Sequence, residues 1–362
     1  MRVLHLCPLW YPVAPDAPGG IETFLSQLIA ELEALGCRNT LIASGDSRVA
    51  GEVLPAVEIG LCAQMAAGTA LEYAYYEQHQ LSLTLEYAAE FDLVHSHIGS
   101  AAYALSAFPG FRTRMLHTQH SPVYSDLEWF VRQHPDLWLS TVSEFQARKL
   151  WRQGATHCEV IPNGIDMGAF PFSPRGGGGL LFIGRLERVK GPDVAVRVAR
   201  ALGQPLALAG PIVEPDYFDR ALRPFLDDQI RYLGVVDHRQ KCELYGQADC
   251  ALLPFLGEEP FGLVTIEAMA SGTPVVTLAT GALPEIVEPG LTGYLARSEG
   301  ELTAMVRQAL TLDRAAVRAR AAAKFDIAAV AQRYHRLYAR MCDTAGPRPS
   351  VEPTLAVGGP GK

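Results

Sequence analysis

The sequence predicts two α/β domains, each a doubly wound, Rossmann-like parallel sheet, facing one another across a cleft. Three observations carry this. At 362 residues the chain is too long for one ordinary domain. It opens as strand, loop, helix, strand, the unit from which parallel sheets are built. A segment rich in proline and glycine, "FPFSPRGGGG" at residues 170 to 179, then interrupts the alternation, which restarts beyond it.

"RVLHLCPLW" reads as a buried first strand and "YPVAPDAPGG" as a loop. In "IETFLSQLIAELEALG" the apolar residues Phe24, Leu25, Leu28, Ile29, Leu32 and Leu35 recur at helical spacing, with Gly36 as the C-terminal cap. "CRNTLIAS" returns as a strand. "FDLVHSH", "TRMLHTQH", "WLSTVS" and "CEVIPNG" continue the sheet, several ending in polar residues. In open α/β sheets ligands collect at that carboxyl edge. The interruption at 170 to 179 has the composition of a flexible hinge. Beyond it come "LLFIG", "PLALAG", "IRYLG", "CALLPF", "TPVVTL" and "GYLA" as strands, with helices at "GPDVAVRVARALG", "HRQKCELYGQA" and around Glu267. The domains expected are 1–169 and 170–324, with a helix at 325–342 packing back on the first; 343–362 reads as a disordered tail.

Apolar residues make up 49% and charged residues 19%, enough to fill two cores. A formal net charge of −8 argues against nucleic acid as a partner. The seven cysteines form no CxxC pair and no cluster with histidine, the pattern of reduced thiols in a cytoplasmic protein. No apolar run is long enough to span a membrane. The first helix carries Glu22, Glu31 and Glu33 without lysine or arginine, which disfavours anionic lipid surfaces.

The chemistry gathers in the second half. "FIGRLERVKG" sets Arg185 and Lys190 just after a strand, where two cations could hold a diphosphate or simply form a solvated loop. In "LGEEPFGLVTIEAMASGTPVV", Pro260 opens a helix and Gly262 permits close backbone approach. The amides of Gly262, Leu263 and Val264 are then a ready anion site. Glu259 and Glu267, eight positions apart, would lie on the order of 10–12 Å from one another if most of the interval is helical. A phosphate close to either carboxylate would be repelled by ~4 kcal/mol. The glutamates should therefore face hydroxyls on either side of the phosphates. A ligand with hydroxyls at both ends and a diphosphate between them is a nucleotide-sugar.

With these residues in view, the chain resembles the family 4 retaining glycosyltransferases of the GT-B fold, which carry a Glu-x7-Glu motif. The matching segments are "GGIETFLSQLIAELEALG", "HTQHSP", "VIPNGID", "FIGRLERVKG", "LPFLGEEPFGLVTIEAMASGTPVV" and "GALPEIVEPGLTGYL", in the expected order from residue 19 to 295. The resemblance implies that Arg185 and Lys190 grip the diphosphate and that Glu259 accepts from the transferred sugar. The amides of Phe261, Gly262 and Leu263 would complete that pocket, and Glu267 would hold the ribose. The loop from Gly234 to Val236 would line the base, Gly20 would approach the phosphates, and His120 would meet the sugar near its reacting carbon. His97 and Glu22 fall on the acceptor side. His95 and His117 are as readily structural, and Glu258 is expected to point to solvent.

With no Asp-x-Asp pair and no metal-ligand cluster in the sequence, no metal or other cofactor is expected. The donor reading is UDP-glucose or a close relative, with GDP-mannose as the alternative. The acceptor is expected to be a small molecule or saccharide, bound by first-domain loops at "CAQMAAGTALEYAYYEQHQLS" and "SPVYSDLEWF". A UDP-sugar 2-epimerase of the same fold and a non-catalytic sugar-nucleotide-binding subunit are the competing readings.

Overall fold

The computed structural model describes residues 1–108 and 110–345. The first sheet has seven parallel strands: β1 (Arg2–Leu6), β2 (Arg38–Ser44), β3 (Glu52–Val57), β4 (Leu93–Ser96), β5 (Met115–Gln119), β6 (Trp138–Thr141) and β7 (His157–Val160). Their spatial order is β3-β2-β1-β4-β5-β6-β7. The second sheet has six: β8 (Leu180–Ile183), β9 (Leu206–Ala209), β10 (Ile230–Tyr232), β11 (Cys250–Leu253), β12 (Val275–Leu278) and β13 (Gly293–Ala296), ordered β10-β9-β8-β11-β12-β13. In each sheet the order reverses once, between β1 and β4 and between β8 and β11. At such a reversal the flanking loops part and leave a crevice outside the carboxyl ends of the strands.

The buried strand residues are mainly valine, leucine, isoleucine and alanine, as expected for sheets covered on both faces. β3 escapes sequence reading because Pro55 interrupts its pattern; as an edge strand it tolerates the missing donor.

Two expectations need correction. The glycine run is not a free hinge. Residues 173–179 are fastened to the second domain, Ser173 N–H donating to the Ser271 carbonyl and Gly178 N–H to that of Gln247. A Cβ at Gly176 would fall 2.3 Å from the Asp249 carboxylate. The glycines serve close packing there. The first-domain segment expected as a loop is also ordered as helices, Leu61–Ala66 and Tyr73–Tyr87, the second turning Leu81 and Gln80 inward.

The last helix, Ile327–Ala345, returns to the first domain and runs three residues into the stretch expected as tail; residues 346–362 of that stretch lie outside the described residues. Its Val330, Tyr334, Leu337, Tyr338 and Met341 share one core with Phe24, Leu25 and Leu28 of the first helix, Gly20–Ala34. All seven cysteines are free thiols.

Candidate active site

β8 and β11 are neighbours, so the loops following them meet at the crevice of the second sheet. Lys190, from the first loop, places its Nζ 2.5 Å from Oε2 of Glu259, from the second. The ammonium also lies 4.9 Å from the centre of the Phe255 ring. Arg185 stands at the same place but 59% exposed, paired with Glu187 at 2.8 Å. The backbone of Glu259 is held by a third loop: Ala282 N–H donates to its carbonyl at 2.9 Å. Gly281 packs so closely that a Cβ there would fall 2.3 Å from that carbonyl oxygen, and its φ is +55°. Any larger residue would displace the Glu259 backbone.

The helix after Glu259 runs from Leu263 to Ala270, so Pro260 precedes it by three residues and does not open it. Gly262 is its N-terminal boundary at φ +90°, a left-handed conformation that favours glycine. No side chain caps this end. Leu263 and Val264, half-buried, form its first turn. The side chain of Phe261 is buried against Phe325, leaving only its backbone for a ligand.

Glu267 keeps different company from that expected of it. It is 6% exposed, one carboxylate oxygen taking 2.7 Å from Lys241 Nζ and the other 2.9 Å from the Tyr245 hydroxyl. Lys241 and Tyr245 stand four residues apart on the helix His238–Gln247, hence on one face. That spacing was visible in "HRQKCELYGQA" and could have nominated both. Val236 is half-buried against the second core.

The first domain supplies the opposite wall. Gly20 begins its first helix against the second domain: a Cβ there would fall 2.9 Å from the Leu263 side chain. A cleft cavity of ≈ 690 Å³ is lined by Ile21, His120 and Tyr124 from the first domain and by Arg185, Lys190 and Glu259 from the second. Glu258 also lines it and is not simply solvated, being paired with Lys149 of the first domain at 2.5 Å. Glu285 of the second domain accepts from the amides of Glu144 and Phe145, at 2.7 and 2.6 Å, where the first-domain helix Glu144–Trp151 begins. Carboxylates favour that end of a helix.

His120 ends a line of histidines. His5 and His95 are register partners on β1 and β4, and His97 follows β4. His120 Nε2 lies 3.1 Å from His97 Nδ1, His97 Nε2 3.3 Å from His5 Nδ1, and His5 Nε2 3.0 Å from Asn39 Oδ1. Asn39 turns its amide nitrogen to the Glu33 carboxylate at 2.8 Å, so its oxygen must face His5. The protons then follow in order: each histidine carries hydrogen on Nε2 and accepts on Nδ1. The last Nδ1, on His120, is buried with no partner among the described residues. Burial lowers the His5 and His120 pKa values to about 4 and that of His97 well below the usual range, so the line is neutral at pH 7.

His120 should accordingly show a neutral, Nε2-protonated ring by ¹⁵N NMR down to about pH 5, and an Nδ1-protonated ring would contradict the assignment. His5, His95 and His97 also come within metal-ligand reach of one another, a grouping that separate strands hide from the sequence. Yet each of their ring nitrogens is already hydrogen-bonded, those of His95 to Tyr338 and Thr118. Hydrogen-bond relay suits them better than metal ligation. His117 bonds Ser106 in the core, apart from this line.

A second cavity, ≈ 640 Å³, opens in the first domain and shares Ile21, His120, Ser121, Pro122 and Tyr124 with the cleft. Glu22 and His97 line it.

Two family models match. "Glycosyltransferase Family 4" covers residues 18–168 and "Glycosyl transferases group 1" covers residues 173–325. The chain belongs to the family 4, group 1 glycosyltransferases. It is similar to a glycogen synthase of Mycobacterium tuberculosis, 34% identical over 264 residues, 64% of this chain and 63% of that protein's length. Along more of its length it is similar to a phosphatidyl-myo-inositol mannosyltransferase of Mycobacterium leprae, 26% identical over 93% of this chain and 96% of that one. Among solved structures it resembles Anabaena Alr3699/HepE in complex with UDP-glucose, with TM-score 0.72, 19% identity, and 94% of this chain and all of that chain (100%) covered. The two facing parallel sheets are the GT-B architecture.

In this glycosyltransferase the fold gathers Arg185, Lys190, Glu259 and His120 about one cavity, while Gly20 and Leu263, which meet each other, are not among its lining residues. Glu267, Val236 and the Phe261 side chain stand outside that cavity lining. Sequence reading missed Lys241, Tyr245, Gly281 and the interdomain carboxylate Glu285; Glu258, expected to point to solvent, is exposed and also pairs with Lys149. No helix among the described residues is long and apolar enough to cross a membrane.

Proposed function

We propose that this glycosyltransferase moves a hexose from a nucleotide-sugar, UDP-glucose or a close relative, to a hydroxyl of a small-molecule or saccharide acceptor. The anomeric configuration is retained and no metal takes part. The observation that carries the reading is the cleft cavity, where Lys190 and Glu259 face His120 and open onto the second cavity. Lys190 and Arg185 meet the charge that grows on the leaving diphosphate, aided by the amides that begin the helix at Leu263. Glu259 accepts from hydroxyls of the sugar, and the bare Nδ1 of His120 accepts from another. The bond from the anomeric carbon to the diphosphate oxygen breaks as that carbon bonds the acceptor oxygen on the same face. The acceptor proton passes to the departing phosphate. Gly20 closes on the phosphates and Val236 borders the base. UDP is favoured by the similarity to a protein solved with UDP-glucose; GDP-mannose is kept as the rival by the relative named a mannosyltransferase.

Glu267 is assigned to the ribose. Its two oxygens each carry one hydrogen bond in the structure and keep lone pairs for hydroxyls. Glu267→Ala should raise the donor KM by about tenfold or more with a smaller effect on kcat, whereas Glu259→Ala should chiefly lower kcat; steady-state kinetics separate them. The test of the whole reading is nucleotide release from UDP-glucose, ADP-glucose, GDP-glucose and GDP-mannose, each with a panel of hydroxylated acceptors. Acceptor-dependent UDP release is expected. A preference for GDP-mannose would move the donor assignment, and an epimer formed from UDP-GlcNAc alone would overturn transfer.

A further inference from the structure

The second cavity has an unusual balance of charge. Glu22, Glu77 and Asp126 line it, and among the described residues no lysine or arginine does. Its histidines, His97 and His120, are kept neutral by burial. Glu22 is 4% exposed, and its carboxylate accepts from its own amide while packing against Gly19, where a Cβ would fall 1.9 Å from Oε2. A buried carboxylate facing an open cavity without a cation is costly to keep unless it serves a ligand. The lining also carries Trp10, Tyr73, Tyr103, Tyr124, Trp129 and Phe130. Trp10 stacks on Tyr73 at 4.1 Å, and Glu77 follows Tyr73 on the same helical face. Trp10, Tyr124 and Trp129 are large exposed aromatics gathered at this one cavity, which is how a surface meant to be covered looks.

We propose that this cavity is the acceptor site and that it takes a hydroxylated acceptor with a ring or other apolar face, neutral or amine-bearing, and rejects anionic ones. This rests on the transfer reading above and narrows its acceptor class. Aromatic faces cover the apolar side of the acceptor, and the ammonium of an amine would find both rings and carboxylates. Glu22, beside the junction residues Ile21 and His120, accepts from the hydroxyl to be glycosylated. A phosphate or carboxylate would meet the like charges of Glu77 and Asp126 in a partly desolvated space, joined by that of Glu22 above about pH 7.

The test uses three β-glucosides of one shape, with 4-methylphenyl, 4-(aminomethyl)phenyl and 4-carboxyphenyl aglycones, and binding to the donor-free full chain followed by tryptophan fluorescence. The ammonium and methyl probes are expected to bind, and the carboxylate probe about tenfold or more weaker at low salt. In Glu77→Gln/Asp126→Asn that gap should shrink several-fold. A carboxylate probe that binds as tightly as the ammonium probe would overturn the proposal. So would a gap unchanged in the double variant, or failure of all three probes to bind. Because no donor is present, these outcomes are separate from nucleotide release, which tests the transfer reading by itself.

Discussion

Lys190→Met is expected to lower turnover by about two to three orders of magnitude, the cost of removing one donor aimed at developing charge. Arg185 is 59% exposed and paired with Glu187, so it can compensate only in part. The substitution also leaves Glu259, otherwise held at 2.5 Å, without its cation at the place proposed for the diphosphate. Single-turnover rates at saturating donor give the check. A raised KM with kcat unchanged would mean that Lys190 binds ground state and transition state alike. The double variant Lys190→Met/Glu259→Gln should be less impaired than the sum of the two single changes, since the residues act as a pair.

Glu22→Gln is expected to stabilise the protein above neutral pH while weakening transfer. Burial raises the Glu22 carboxyl from 4.5 to about 7. The folded chain thus holds a proton there that the unfolded chain has released, and stability falls as pH rises from about 4.5 to 7. Glutamine removes that loss, by at most about 3 kcal/mol at pH 8 and by nothing below pH 4. Thermal unfolding at the two pH values reads the difference. An equal change at both would show that the gain comes from packing and not from the proton. Stability bought at the expense of activity is the pattern expected of a group kept for a ligand.

The alternating β/α order and the second-domain loops were legible because each leaves a local mark: a strand, a turn, then charge or glycine. The Lys190 and Glu259 loops could be found separately, but not their contact, which depends on β8 and β11 being neighbours in space. The histidine line was hidden for the same reason. His5 and His95 are ninety residues apart in the chain and partners in register. β3 was lost to Pro55, whose meaning changes once the strand is known to lie at an edge. The helix Tyr73–Tyr87 was lost because Tyr73 lines a cavity, Tyr75 is exposed and Tyr76 and Tyr87 pack on a core, blurring the apolar face that periodicity seeks. Glu267 was noticed as an acid on an apolar helix, and the tertiary partners Lys241 and Tyr245 explain how it is tolerated.

The return of the final helix has a consequence for synthesis. Tyr338, near the end of the described chain, bonds His95 in the centre of the first sheet, and Tyr334 and Leu337 pack on residues from the first helix. A ribosome delivers the first sheet early but withholds this part of its core until the second domain has emerged. The first domain is therefore completed only after the second. A nascent chain stalled before residue 327 would carry an unfinished apolar seam along its first helix, a ready landing place for chaperones.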